Sequence, residues 1–275
     1  MSPRLPLGIN SAHDTDRSMA TMTPRRPLRS RPKIAQVVAM EIVSDIVAAG
    51  LSEGDQLLTE AAMVERFDVG RASVREGLRL LEAFGIITIR QGTNGGPFVS
   101  GVKPEDVGRS LSLYFHISGA TFGDLVDARL VIEPVMAKLA AEHQEPEVLS
   151  KLEKALERER TTSFGDPEFV ESADNFHHVV SGMSGNKVLD IIGKALRTLY
   201  QDRIVYGARL PAPTRPQTRE LHLAIGDSIL RGDGVRAAAL MYEDLAKIAD
   251  SQQQLSPALA EELVGWTFEK LQGSS

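Results

Sequence analysis

Residues 67–87 read FDVGRASVREGLRLLEAFGII, and this stretch decides the fold of the first third of the chain. Its opening Asp-Val-Gly at 68–70 is a turn signal. The spacing of the apolar residues that follow predicts a helix from about Arg71 to Phe84, which Gly85 ends. The predicted apolar face of this helix consists of Val74, Leu78 and Leu81.

Two further helices are predicted upstream of this stretch. Apolar residues at helical spacing begin at Ile34 and continue until Gly50, which ends the first helix. Thr59 has the side chain of an N-cap and precedes a short second helix that runs through Arg66.

A β-hairpin is predicted downstream. Residues 86–90 and 97–99 have the composition of strands, and the glycine-rich turn at 92–96 joins them. The order helix, helix, turn, helix, β-hairpin over residues 32–101 is that of a winged helix-turn-helix, a DNA-binding fold.

Three arginines on the 71–84 helix form a stripe on a different side from its apolar residues. Arg71, Arg75 and Arg79 are four residues apart and therefore share one side. A guanidinium matches guanine O6 and N7 or a phosphate, and the N-terminal part of a recognition helix reaches the bases. We therefore predict that Arg71 and Arg75 read bases or hold phosphates, and that Arg79 contacts the DNA backbone or supports the fold. The alternative is a merely solvated surface. Ser73 beside the stripe and Gly92 at the tip of the wing complete the predicted DNA-binding set.

The rest of the chain is predicted to be all helix. Residues 101–104 form a short linker, and short loops between the later helices indicate an antiparallel bundle. The predicted fold class is mainly α, with an N-terminal winged helix-turn-helix and a C-terminal all-α helical bundle over 105–272. Residues 1–31, rich in proline and arginine, are expected to be a disordered tail. The predicted helices are 105–117, 121–143, 146–162, 167–182, 186–206, 217–231, 234–250 and 256–272.

Composition narrows the class of protein. The chain has 275 residues, no cysteine and a net charge of −6. Residues 1–100 carry 12 basic and 11 acidic side chains, a net of +1, so the remaining 19 basic and 26 acidic side chains place a net of −7 in the C-terminal part. Net charge therefore does not oppose DNA binding, which needs only a local basic face. No apolar run is long enough for a membrane helix, and no secretory signal is visible, so we expect a cytoplasmic protein without a membrane partner.

The N-terminal stretches together resemble a known family. GLSEGDQL at 50–57, Thr59-Glu60, the 67–87 stretch and GTNGGPFV at 92–99 are similar to the DNA-binding domain of the GntR family of transcription regulators. The resemblance implies that Arg71 and Arg75 are the family's recognition arginines and Gly92 its wing glycine. Two positions depart from the pattern. Ala61 stands where some members carry a basic residue, and Gly70 stands where Ser or Thr is usual. Both changes remove possible phosphate contacts and imply weaker affinity or a different operator.

Three C-terminal pieces resemble the FadR-type branch of that family. They are RLVIEPVMAKLAA at 129–141, Phe176-His177 followed by SGN at 184–186, and Glu220-Leu-His222 through Met241. The resemblance implies an FCD-like effector-binding domain. Effectors of this branch include small carboxylic acids and acyl-CoA esters.

The same resemblance bears on a metal site. Many members of the branch hold a divalent metal with one Asp and three His, and these positions fall here on Ala173, His177, His222 and Asp244. One ligand is lost and one His is replaced by Asp. Two imidazoles and a carboxylate suit Zn, Ni or Mn. The alternative is that His177 and His222 are buried neutral histidines lining a pocket for an organic ligand, and the incomplete set favours a ligand that needs no metal.

Two arginines are further effector-binding candidates, beside His177, His222 and Asp244. Arg129 has the fork geometry to hold an effector carboxylate. Its alternative role is a structural ion pair with Glu133, four residues on. Arg203 is the second candidate.

The predicted function is a DNA-binding transcription regulator, a repressor, whose operator affinity a small-molecule effector controls. A single recognition helix reads only a few base pairs, so a homodimer on an inverted-repeat operator is expected. One alternative is a metal-dependent hydrolase using His177, His222 and Asp244. Against it, the sequence lacks a nucleophile elbow, a phosphate-binding loop and a dinucleotide fingerprint. A purely architectural DNA binder is a second alternative, but it would not need a large domain with inward-facing polar groups.

Overall fold

A computed structural model of the chain describes residues 33–92, 95–101, 103–164, 168–207 and 215–265. The expected tail at 1–31 lies outside the described residues. The fold class predicted from the sequence is confirmed: a small domain with three helices and a hairpin precedes a domain built from helices.

The N-terminal domain has the predicted order of elements. It consists of α1 (Ile34–Ala48), α2 (Glu60–Phe67), α3 (Arg71–Ala83), β1 (Ile87–Arg90) and β2 (Gly96–Val99). The strands are antiparallel, with Ile87 opposite Val99 and Arg90 opposite Gly96.

Local chemistry fixes the tight connection between α2 and α3. Thr59 caps α2 by accepting a hydrogen bond from the backbone N–H of Ala62. Asp68 ends α2 in the left-handed region with a φ of 50°, which Asp tolerates better than most residues. The short connection between α2 and α3 therefore follows from the residues at the end of α2 and in the turn.

A glycine lets α1 and α3 pack closely. A Cβ added to Gly77 would lie 3.0 Å from the carbonyl oxygen of Ala35 and 3.1 Å from Cγ1 of Val38. On the same side of α3, the apolar face predicted from the sequence is fully buried and forms the core of this domain with Ile42 and Met63.

The second domain begins with α4 and is organised around α5, which packs against α7, α8 and α10. Its apolar core includes Leu152, Phe176, Ile225 and Met241. Pro134 lies inside α5 and removes one backbone hydrogen bond one residue after Glu133. The helices are α4 (Pro104–Ser118), α5 (Phe122–Ala140), α6 (Pro146–Thr161), α7 (Glu168–Gly182), α8 (Lys187–Gly207), α9 (Arg215–Leu230) and α10 (Gly234–Leu255).

The last predicted helix, 256–272, is wrong in its described part. Pro257–Glu261 forms a short 3₁₀ helix, and the chain then extends so that Leu263 pairs with Thr121 in an isolated antiparallel bridge. This pairing buries Val264 beside Leu259 against the start of α5. A contact between residues so far apart along the chain overrides the local helical spacing.

None of the helices in the described ranges is both long and apolar enough to cross a membrane.

Candidate functional site

The arginine stripe lies on the open side of α3. Arg71, Arg75 and Arg79 are exposed, whereas Val74 and Leu78 on the other side are buried. This division leaves the helix free to enter a DNA groove while its apolar side holds it to the domain.

The N-terminal end of α3 is open as well. Gly70 is its N-cap, has an extended backbone and has no atom within 4 Å of an added Cβ. Ser73, one turn in, is half-buried, and Gly92 at the wing is exposed with a φ of +108°. The structure thus places the predicted DNA-binding residues at one end and one side of α3 and on the wing.

Arg75 differs from its neighbours because it is already paired. Its Nε donates to Oε2 of Glu60 on α2 at 2.7 Å. Arg71 and Arg79 form no ion pair with any residue in the described ranges. Base or phosphate contact by these arginines stays a prediction.

Inside the second domain, five helices each contribute one polar side chain to a buried polar cluster. Its members are Glu133 from α5, Glu159 from α6, His177 from α7, His222 from α9 and Asp244 from α10, and each is less than 5% exposed. Burial of so many ionisable groups is costly unless they bond to one another or to an ion.

Each imidazole of the cluster hydrogen-bonds to a carboxylate through its outer nitrogen, the one that faces away from the centre of the cluster. His177 Nδ1 donates to Oε2 of Glu133 at 2.7 Å, and His222 Nδ1 donates to Oε1 of Glu159 at 2.8 Å. A carboxylate only accepts, so these contacts assign the proton to Nδ1 and leave each Nε2 facing inward. Phe176 stacks on the His222 ring, with 4.4 Å between centroids, and further fixes its plane.

The inward-facing atoms form a small triangle. The two Nε2 atoms of His177 and His222 are 3.1 Å apart, and Oδ2 of Asp244 lies 3.6 Å from the first and 3.4 Å from the second. Two imidazole lone pairs and a carboxylate repel one another at this distance unless a proton or a cation lies between them. Neither carboxylate oxygen of Asp244 has a hydrogen-bond partner in the described structure.

The pKa shifts follow this arrangement. Burial opposes the charged form of His222, but the carboxylates of Asp244 and Glu159 outweigh it and raise the pKa of the imidazole to about 9. Burial alone would raise the pKa of the Asp244 carboxyl, but the two imidazoles lower it below its usual range. The cluster therefore attracts positive charge to its centre.

The triangle fits a divalent metal. Ligand bonds of roughly 2.0–2.2 Å at tetrahedral or octahedral angles place neighbouring ligand atoms about 2.8–3.6 Å apart. The three measured edges span 3.1–3.6 Å. Carboxylates on the outer nitrogens are the usual supports of metal-binding histidines. The sequence-based trio of His177, His222 and Asp244 is thus brought together, and Ala173, the lost fourth position, is buried one turn before His177.

Arg129 forms the structural ion pair that was one of its two predicted roles, and it has a hydrogen-bond donor left for the other, binding an effector carboxylate. Its Nε donates to Oε1 of Glu133 at 2.6 Å, and its guanidinium lies over the ring of Tyr200 at 3.9 Å from the centroid. Its Nη2 is buried without a hydrogen-bond partner in the described structure. The ion pair is present, and an effector contact stays a prediction. Arg203 lies on α8, but its side chain falls outside the described part of the chain.

Two members of the cluster were not predicted as site residues. Glu133 was considered only as the partner of Arg129, and Glu159 was not singled out. A signal for Glu159 exists in the sequence, because it continues the apolar stripe of α6 formed by Leu152, Ala155 and Leu156 at helical spacing. A carboxylate on the inward side of a helix marks a buried polar contact.

Two family models match the chain. The model described as bacterial regulatory proteins, gntR family, matches residues 34–95, and the FCD domain matches residues 124–247. Together they cover the three helices and the first strand of the winged domain and all five side chains of the buried polar cluster.

Curated relatives match over most of the chain. It is 30% identical to the HTH-type transcriptional repressor NanR of Escherichia coli strain K12 over 258 residues, covering 88% of this chain and 95% of the relative. The protein of the same name from Shigella dysenteriae serotype 1 is 31% identical over 242 residues, covering 82% and 89%. Among solved structures, a Streptococcus agalactiae GntR aligns with a TM-score of 0.65 and 25% identity, covering 79% of this chain and 99% of that one.

Proposed function

Because the chain belongs to the GntR family and is a transcription regulator with an FCD effector-binding domain, we propose that it is a repressor controlled by an effector that binds at the buried polar cluster. GntR regulators bind DNA and FCD domains bind small molecules. The observation that carries this proposal is the triangle of His177, His222 and Asp244, with each imidazole supported by a carboxylate. The curated relatives are named as transcriptional repressors, which supports repression as the role of this chain.

We propose that a divalent metal, Zn, Ni or Mn, occupies the triangle. Nε2 of His177, Nε2 of His222 and a carboxylate oxygen of Asp244 would hold it. When bound, the ion supplies open coordination positions to an oxygen ligand, since only three protein groups are present. Glu133 and Glu159 keep both imidazoles in the tautomer that this role requires.

The charges of the site favour a small carboxylic acid over a neutral effector. Glu133, Glu159 and Asp244 carry three negative charges, and the buried guanidiniums of Arg129 and Arg197 carry two positive ones. The pKa of about 9 makes His222 a further positive charge in the metal-free site, and a divalent metal that replaces its proton leaves a net charge of +1, which one carboxylate would neutralise. The free Nη2 of Arg129 is a donor for that carboxylate.

Effector binding is proposed to act through a dimer. Two copies would bind an inverted repeat in the cytoplasm, where the operator DNA is, each with its own α3 in a major groove. The effector can release the operator only if it prefers a dimer whose recognition helices no longer match the half-sites. A coupling of about 1–3 kcal/mol would change operator affinity roughly 5–150-fold.

Catalysis is not supported as the role of the site, because the family and the relatives are transcription regulators and not enzymes. The hydrolase alternative therefore gives way to a binding role for His177, His222 and Asp244.

An electrophoretic mobility shift assay tests the proposal. The DNA is a duplex selected from a random library by the wild-type protein, and Zn, Ni, Mn and a panel of organic acids and acyl-CoA esters are added. The double variant His177→Ala with His222→Ala is expected to bind the duplex like the wild type but to lose the effector response. His143→Ala, at a side chain that is 39% exposed, is the control and should respond normally. A normal response by the double variant would place the effector site elsewhere, and an unfolded double variant would make these histidines core residues.

A further inference from the structure

The first helix, α1, is apolar on more sides than its own domain covers. Its 15 residues include only two charged side chains, Glu41 and Asp45. One side, which includes Val38 and Ile42, is buried against the rest of the domain. Large apolar side chains exposed together on one side of a helix normally mark a contact surface, so this second side of α1 is expected to be covered as well.

The uncovered side has the spacing of a coiled-coil seam. Val37, Met40, Ser44 and Val47 are separated by three, four and three residues, as alternating a and d positions are. Met40 is 68% exposed and Val47 is 75% exposed. We define these four residues as the α1 seam. Ile34 and Val43 flank it and are exposed too.

We propose that the α1 seam is the surface through which the DNA-binding domains of two copies of this chain contact one another. The proposal deepens the proposed dimer and rests on it. The seam is self-complementary in the antiparallel orientation, since a positions then face d positions of the second copy. Val37 meets Val47 of the second copy at both ends, and Met40 meets Ser44 twice at the centre.

The area and the charges fit a second copy. Burying the exposed side chains of the seam and its flanks in two copies would remove on the order of 1,000 Å² from water, near the lower limit for a specific interface. The four seam residues carry no charge, and the one exposed charge that borders them, Glu41, is negative and therefore does not favour DNA as the occupant. An interface of this size is weak alone and gains from the DNA that holds both copies.

Cross-linking tests the pairing directly. The chain has no cysteine, so Ser44→Cys introduces a single exposed thiol. In the antiparallel pair the two thiols lie roughly 10 Å apart, within reach of a short bis-maleimide. The full-length Ser44→Cys protein is expected to form covalent dimers, with and without the selected duplex, and Val235→Cys on α10 is the control. No dimer for Ser44→Cys, or equal yields for both variants, would overturn the proposal.

A charge placed on the seam tests its energetic role. Val47 and Val235 are matched in type and exposure, at 75% and 76%. Val47→Glu is expected to weaken binding to the two-half-site duplex at least tenfold and to leave binding to a single half-site within twofold, whereas Val235→Glu changes neither. Equal binding of Val47→Glu and the wild type to both duplexes would contradict the seam.

The two proposals fail in different ways. A wild-type protein that selects no DNA sequence would end the regulator proposal, but the Ser44→Cys cross-link would still report the pairing of α1. Conversely, if the protein binds DNA and responds to the effector but Ser44→Cys forms no cross-link, the proposed function stands and the pairing through the α1 seam is wrong.

Discussion

At the scale of single residues, Glu60 prepares Arg75 for the contact proposed for it. The hydrogen bond uses Nε of the guanidinium and leaves its two terminal nitrogens unassigned. Those two nitrogens are the pair that a guanine edge or a phosphate accepts. Glu60 thus orients the arginine before DNA arrives, at a site that is exposed and contributes little to stability.

Arg75→Ala is expected to reduce operator affinity by about 1–3 kcal/mol if the arginine makes a bidentate base contact. Arg79→Ala should cost less, since Arg79 lies about one turn further than Arg75 from the N-terminus of α3. Titration of both variants against the selected duplex, at one stated salt concentration, measures the difference. Wild-type affinity for Arg71→Ala and Arg75→Ala alike would mean that α3 is not the recognition helix.

Glu159 provides the corresponding test inside the second domain. Glu159→Gln keeps the shape of the side chain but removes the charge that supports His222, so metal affinity is expected to fall about 10–100-fold. Isothermal titration with Zn measures it. Glu157→Gln, two residues earlier on the same helix and exposed, is the matched control and should bind Zn like the wild type. Equal affinities would show that the carboxylate does not support a metal ligand.

At the scale of elements, the packing of α1 on α3 depends on a missing side chain. An added methyl at Gly77 meets a backbone oxygen at 3.0 Å, and backbone yields less easily than a side chain end. At Gly108 on α4, the same addition meets the carbonyl oxygen of Ala195 at 3.4 Å, an ordinary contact. Both glycines lie inside helices, but they differ in the space available for a side chain.

Gly77→Ala is expected to lower the free energy of unfolding of the N-terminal domain by about 1–3 kcal/mol through overpacking, less any gain in helix propensity. Gly108→Ala should leave stability unchanged or raise it. Calorimetric unfolding of the full-length variants measures both. Equal melting temperatures of Gly77→Ala and the wild type would mean that α1 and α3 can move apart without a cost in stability.

At the scale of the whole molecule, prediction from the sequence succeeds where structure is local. Apolar spacing and turn residues predict the helices from α1 to α10, because both signals act within a few residues. The segment after Pro257 fails because its conformation depends on pairing with Thr121, far away in sequence. The prediction that His177, His222 and Asp244 lie together came from family resemblance and not from the spacing of these residues. Glu159 was missed because its role depends on a helix more than 60 residues further along the chain.

The close approach at Gly77 has a consequence on the operator. If α1 pairs with α1 of a second copy, the two recognition helices are separated by three stacked helix contacts, of about 8–10 Å each, so their axes lie at most about 30 Å apart. One turn of DNA is about 34 Å. The repeat that this regulator reads is therefore expected to be compact, with half-site centres fewer than ten base pairs apart, and sequencing of the selected duplexes measures that distance. Half-sites separated by a full turn would require a wider dimer than α1 can build.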